Sequence, residues 1–179
     1  TNSPKDRDNL AYLVFDMRIS RQAMFMEMAA VAAKRSTCFR ASVGAIIVQD
    51  NNVVSIGYNG PPAGEEHCTG ITCPGAEKGC IRSSHAERNA LERLPHHLGG
   101  PLDLYCTHSP CPDCARLMAL MLQASIVPRS PWVGRLLFRE TYRITEPLAD
   151  LAEAGIKIFV VTPSGYIYDW ITRELVDIK

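Results

Sequence analysis

Seven cysteines constrain this chain more than any other feature: Cys38, Cys68, Cys73, Cys80, Cys106, Cys111 and Cys114. An odd number without a secretory pattern makes a poor disulfide framework. The spacing fits metal binding better. Cys111-Pro112-Asp113-Cys114 is a C-x-x-C, and Cys68, Cys73 and Cys80 share a Gly-rich stretch. A reducing compartment follows as the default, the cytoplasm or, for a viral protein, the host's. With 179 residues the expectation is one domain, at 21–179, behind an N-terminal extension at 1–20. The chain is 46% hydrophobic and 21% charged, which is globular and not disordered. Lys+Arg and Asp+Glu are 19 each, so no basic excess exists for duplex nucleic acid, although a local basic pocket is permitted. No apolar run approaches the roughly 20 residues of a membrane span, and no signal-peptide pattern opens the chain.

Hydrophobic periodicity orders the elements. Residues 21–34 (RQAMFMEMAAVAAK) read as a helix. The runs 43–48 (VGAIIV) and 53–58 (VVSIGY) flank the turn signal Asp50-Asn51-Asn52 and predict a hairpin. Residues 59–79 are rich in Gly, Pro and Cys and read as a long loop, a length usually functional or tied down. A helix is expected at 84–94 with Ser83 or Ser84 as N-cap, a strand at 102–107, and a helix at 112–124 with Pro112 in its first turn. Residues 126–134 read as a loop, 135–139 as a strand, 148–154 as a helix stopped by Gly155, 156–161 as a strand and 169–176 as a last helix. The order predicts a three-layer α/β/α domain around a central five-stranded mixed sheet.

The chemistry lies in His85-Ala86-Glu87 and Pro110-Cys111-Pro112-Asp113-Cys114. Zinc takes about four ligands, and a catalytic site leaves one position for water. His85 offers nitrogen, and Cys111 and Cys114 offer thiolates. Cysteines three apart at a helix start share one face, and the helix N-terminus favours their ionised form. Glu87 lies close to the metal without being a ligand. Zinc brings the pKa of its water to about 7, and a neighbouring carboxylate can then move protons. The joint pattern H-x-E…P-C-x-x-C is the known signature of zinc-dependent nucleobase deaminases. A lone HAE or a lone C-x-x-C would carry little weight; together, each ahead of a helix, they carry much.

Over about residues 25–161 the sequence resembles the deoxycytidylate (dCMP) deaminase family of the cytidine/deoxycytidylate deaminase superfamily, phage and bacterial members included. The motifs are Arg35-Ser36-Thr37-Cys38, Val43-Gly44-Ala45, Gly57-Tyr58-Asn59-Gly60-Pro61-Pro62-Ala63-Gly64, His85-Ala86-Glu87-Arg88-Asn89-Ala90 and Ser109-Pro110-Cys111-Pro112-Asp113-Cys114. The resemblance implies a cytidine deaminase-like fold and zinc-dependent hydrolysis of dCMP to dUMP and ammonia, which supplies dUMP for thymidylate synthesis. It implies Glu87 as proton carrier and His85, Cys111 and Cys114 as zinc ligands. The Ala86 amide and the carbonyl near Ser109 would contact the base. Arg40 would lie near the sugar, where a guanidinium could also meet the 5′-phosphate, and Tyr142 beside the base or sugar. His108 borders the site. Arg40 and Tyr142 also read as an ordinary loop arginine and a rim tyrosine.

The same resemblance implies a hexamer activated by dCTP and inhibited by dTTP, with Mg2+ accompanying a triphosphate. The effector site would involve Asn59, Gly60 and Gly64, which also fit a plain tight loop. It implies a second, structural zinc on Cys38 and Cys68. Cys73 and Cys80 are the natural remaining ligands and His67 the alternative fourth; free buried thiols are the other reading. Cys106 reads as a core residue, and His96 and His97 as loop residues. Residues 126–133 form a longer link than relatives carry. Alternative substrates are dCTP, a 5-modified dCMP or a tRNA base, the last disfavoured by balanced charge. A non-enzymatic alternative is a nucleotide-binding regulator on the zinc fold, which would not need Glu87.

Overall fold

The computed structural model describes residues 18–70, 73, 80, 82–124 and 130–178. The elements in chain order are α1 (Arg21–Ala33), β1 (Gly44–Gln49), β2 (Asn52–Tyr58), α2 (Ala86–Glu92), β3 (Gly100–His108), α3 (Pro112–Gln123), β4 (Pro131–Glu140), α4 (Glu146–Glu153), β5 (Lys157–Val161) and β6 (Ile167–Asp169). They form one mixed sheet of order β2-β1-β3-β4-β5-β6. β1 pairs antiparallel with β2 and β3; β3, β4 and β5 run parallel; β6 returns antiparallel on β5. The two parallel steps are the ones bridged by a helix, α3 and then α4, as parallel pairing requires.

Strand alternation sorts side chains onto two faces. Ile46, Tyr105, Leu137 and Phe159 pack with Phe25, Met26 and Ala29 of α1. Ala45, Ile47, Leu104, Cys106, Leu136, Phe138 and Ile158 pack with residues of α2, α3 and α4. The result is the expected α/β/α sandwich. Cys106 is fully buried, as expected, and His96 and His97 are exposed loop residues. Two glycines bring helices close to the sheet. A Cβ on Gly44 would lie 2.1 Å from the Ala29 carbonyl oxygen in α1, and one on Gly57 would lie 2.2 Å from that of Ala86 in α2.

The sheet differs from expectation in having six strands, not five. The last segment is not a helix: Asp169 accepts the backbone N–H groups of Ile171 and Thr172 at 2.8 and 2.9 Å, and Arg173 sits at φ 63°. The chain turns once there and comes back antiparallel on β6, with the Asp169 N–H donating to Glu174 O at 3.0 Å and the Val176 N–H to Ile167 O at 2.9 Å. β4 begins at Pro131, inside the stretch expected to be a loop. Its first residues pair with Gly100 and Pro101 of β3, which supplies a partner that composition cannot show. Residues 126–129 of the expected 126–133 link lie outside the described residues, as do 1–17 of the N-terminal extension. Ser20, placed in that extension, caps α1 by accepting the Ala23 N–H at 3.1 Å. Among the described residues no helix is long and apolar enough to cross a membrane.

Candidate active site

The site lies beyond the carboxyl ends of β3 and β4, where α2 and α3 begin. His85 is the N-cap of α2 and Cys111 the N-cap of α3. The expected Ser83 or Ser84 cap is displaced by one of the metal-ligand candidates. Cys114 lies one turn into α3, so Cys111 and Cys114 face the same point. Asn89 anchors α2: its amide donates to the Tyr58 carbonyl of β2 at 2.8 Å and its oxygen takes the Ser84 hydroxyl at 2.9 Å.

His85 Nδ1 lies 3.2 Å from Cys111 Sγ and 3.5 Å from Cys114 Sγ. The three ligand atoms all fall within 4.8 Å of one another. A tetrahedral zinc at ordinary bond lengths sets nitrogen and sulfur about 3.6 Å apart. The donor set therefore fits zinc with one position open. Charge supports the fit. Cys111 is pushed down to about 4, first by the hydrogen bond from the Cys114 thiol and then by His85. Cys114, which gives that proton, is pushed up by the same bond and by burial. His85 is raised, chiefly by its bond to Cys111.

Glu87 stands in the first turn of α2, with 4% of its surface exposed. Burial pushes its carboxyl up to about 7, against the pull of a backbone hydrogen bond and of His85. A carboxyl poised near neutrality can both take and give a proton.

A cleft of about 450 Å³ opens over these groups. It gathers Arg40, Ala86, Ser109, His108, Tyr142 and Asn59 around His85, Glu87 and Cys111. Arg143, Asp113 and Ile144 also line it and were not anticipated. Arg143 stacks over Tyr142 at 5.7 Å, and an aromatic-basic pair following a strand end was the available signal. Ser109 is buried; its N–H donates to Glu140 O at 2.8 Å and its hydroxyl accepts the Tyr142 N–H at 2.7 Å. His108 contacts Glu140 at 3.2 Å and the Thr107 hydroxyl at 3.2 Å.

Gly60 and Gly64 are not among the cleft-lining residues. Gly60 exchanges backbone hydrogen bonds with Ser84, and Gly64 is exposed at φ 92°. Cys38 and Cys80 reach the cleft wall, while Cys68 and Cys73 are buried away from its lining. Cys68 is raised by burial and then by Cys73, with Cys38 and Cys80 adding to it and Arg82 opposing, so the four thiols share a neighbourhood. Among the described residues, the His85 group is the one set of three or more His, Cys, Asp or Glu residues whose ligand atoms lie within 4.8 Å of one another. His67 is exposed.

A histidine and two thiols at paired helix starts, with a buried carboxyl beside them, define a zinc hydrolase centre of the deaminase type. Residues 19–127 match the family model described as the cytidine and deoxycytidylate deaminase zinc-binding region. The chain is 36% identical over 162 residues to ComE operon protein 2 of Bacillus subtilis, covering 88% of this chain and 79% of that one. It is 39% identical over 109 residues to the deoxycytidylate deaminase of Mycobacterium phage D29, covering 53% and 83%. The dCMP deaminase of cyanophage S-TIM5, solved with dCMP and dUMP, superposes with a TM-score of 0.60 at 30% identity, covering 89% of this chain and 99% of that one. The chain belongs to the cytidine and deoxycytidylate deaminase zinc-binding family.

Proposed function

We propose that this chain is a dCMP deaminase, converting dCMP and water to dUMP and ammonia. The observation that carries the reading is Glu87, buried and raised to about 7, beside the His85–Cys111–Cys114 group. The name and bound nucleotides of the cyanophage enzyme, and the names of several relatives, support dCMP as substrate.

His85, Cys111 and Cys114 would hold the zinc. Bound there, it supplies Lewis acidity that makes water a competent nucleophile near neutral pH. Glu87 takes a proton from the attacking water and delivers it to ring N3. It then carries a second proton to the amino group at C4, which leaves as ammonia. The Ala86 amide and the Ser109 backbone frame the base. Tyr142 borders base or sugar, Arg40 meets the 5′-phosphate with Arg143 beside it, and His108 steadies the rim through Glu140.

The same reading includes a structural zinc on Cys38, Cys68, Cys73 and Cys80, supported by their shared neighbourhood. It includes a homohexamer in a reducing cytoplasm, or a host's, activated by dCTP with Mg2+ and inhibited by dTTP. The effector would sit against Asn59, Gly60 and Gly64. The test is ammonia release from dCMP by zinc-loaded protein, with and without dCTP and Mg2+. Turnover raised by dCTP supports substrate and regulation together. Turnover without stimulation keeps the enzyme and removes the regulation. No turnover of dCMP, with zinc present, overturns the assignment and directs the assay to dCTP and 5-modified dCMP.

A further inference from the structure

We infer that Asn59 is the positioning residue for one wall of the cleft: its side chain clamps the 36–43 loop and so presents Arg40 to the substrate. Asn59 is 7% exposed and lies directly after β2, on the rigid side of the cleft. The loop opposite has no regular structure of its own between α1 and β1. Several of its hydrogen bonds run to this one residue, beside others within the loop and one from the Cys68 N–H to Thr37 O. Asn59 Oδ1 accepts the Val43 N–H at 2.8 Å and the Ser36 hydroxyl at 2.7 Å. Asn59 Nδ2 donates to the Ala41 carbonyl at 2.8 Å. The backbone adds to the clamp, with Asn59 N–H donating to Val43 O at 3.1 Å and Asn59 O accepting Thr37 N–H at 3.2 Å.

Both acceptor positions of the side-chain oxygen and one donor of the nitrogen are thereby committed inside the chain. The grip falls on both sides of Arg40, at Ser36 and Thr37 before it and at Ala41 and Val43 after it. A loop without its own ladder takes its position from bonds to neighbouring segments, and Asn59 supplies side-chain bonds as well as backbone ones. Asn59 and Arg40 both line the cleft, so the arginine's reach is set by where this clamp holds the backbone. The expectation for Asn59 was effector contact. The clamp gives its side chain a further task, one that acts on substrate affinity without touching the reacting atoms. That task rests on the proposed dCMP reading, in which Arg40 meets the phosphate.

The experiment has two arms on zinc-loaded protein. Hydrogen exchange of the Val43 amide is compared between wild type and Asn59→Ala, and the expected result is exchange at least tenfold faster in the variant. Steady-state kinetics on dCMP then run a double-mutant cycle with Arg40→Ala. The expected result is a KM raised roughly ten- to hundredfold by Arg40→Ala and by Asn59→Ala alike, with kcat within about threefold and no further rise in the double variant. Ser36→Ala removes a single clamp bond and should raise KM severalfold, with Ser36→Thr restoring it; this pair serves if Asn59→Ala fails to fold. Unchanged exchange at Val43, or KM effects that multiply in the double variant, would overturn the clamp. A silent Arg40→Ala alongside faster Val43 exchange removes Arg40 from phosphate binding and leaves the clamp standing.

Discussion

The Ser109 hydroxyl accepts the Tyr142 backbone N–H at 2.7 Å, tying the residue two before Cys111 to the loop after β4. That bond fixes how close the Tyr142 ring and Arg143 stand to the metal ligands. Ser109→Ala leaves the N–H without its partner. A neutral hydrogen bond contributes about 1 kcal/mol, so KM for dCMP should rise about three- to tenfold. Zinc content by atomic absorption should not change. A fall in bound zinc instead would mean that Ser109 supports the Cys111 turn rather than the Tyr142 loop.

Glu87 should link stability to pH in the metal-free protein. Its carboxyl is raised from 4.5 to about 7 on folding, so between those values the folded state holds more protons than the unfolded one. Stability therefore falls as pH rises from about 4.5 to 7, by an amount on the order of a few kcal/mol, and is flat above. Glu87→Gln should abolish that slope and raise the melting temperature at pH 8. Thermal melts of both proteins across pH 4 to 9, taken as a difference, isolate Glu87 together with its coupling to His85 and Cys114. Turnover by Glu87→Gln should drop by about 10² to 10⁴ with zinc still bound.

Gly57→Ala should damage function at a distance. The added Cβ would stand 2.2 Å from the Ala86 carbonyl oxygen and 2.5 Å from the Ala90 nitrogen, so α2 must move off β2. Overpacking of this kind costs about 1–3 kcal/mol. Since α2 carries Glu87 and is capped by His85, kcat should fall along with melting temperature. A variant that loses stability but retains full kcat would mean that α2 relaxes without disturbing its first turn.

Cys73→Ser and Cys80→Ser should each lower zinc by one ion per chain while His85, Cys111 and Cys114 retain theirs. Metal analysis after gel filtration decides it. Unchanged stoichiometry would make those thiols ordinary buried cysteines.

That His85, Cys111 and Cys114 would come together was legible because the spacing is local. His85 and Glu87 are two apart, Cys111 and Cys114 three apart, and each pair opens a helix whose start the sequence marks. The cleft wall was less legible. Arg143 reaches the cleft through the parallel pairing of β3 with β4, a contact between distant segments. The strand ends failed for a related reason. Pro131 and Gly134 look like loop residues until the Gly100–Pro101 partner is known. The stretch DWITRELV has helical composition and Asp169 caps one turn of it, but the chain reverses at Arg173 and residues 174–176 pair back on β6, a contact that composition does not show.

All three metal-ligand candidates and Glu87 stand at helix starts that follow the sheet, not on the strands themselves. The strands thus matter chiefly through their length. Exchanging Leu104 or Leu136 for another apolar residue of similar volume should be absorbed. Inserting two residues into β3 would preserve which side chains face which layer, yet carry Cys111 about 6.6 Å from His85. For this fold, drift in composition is tolerable where a change in register is not.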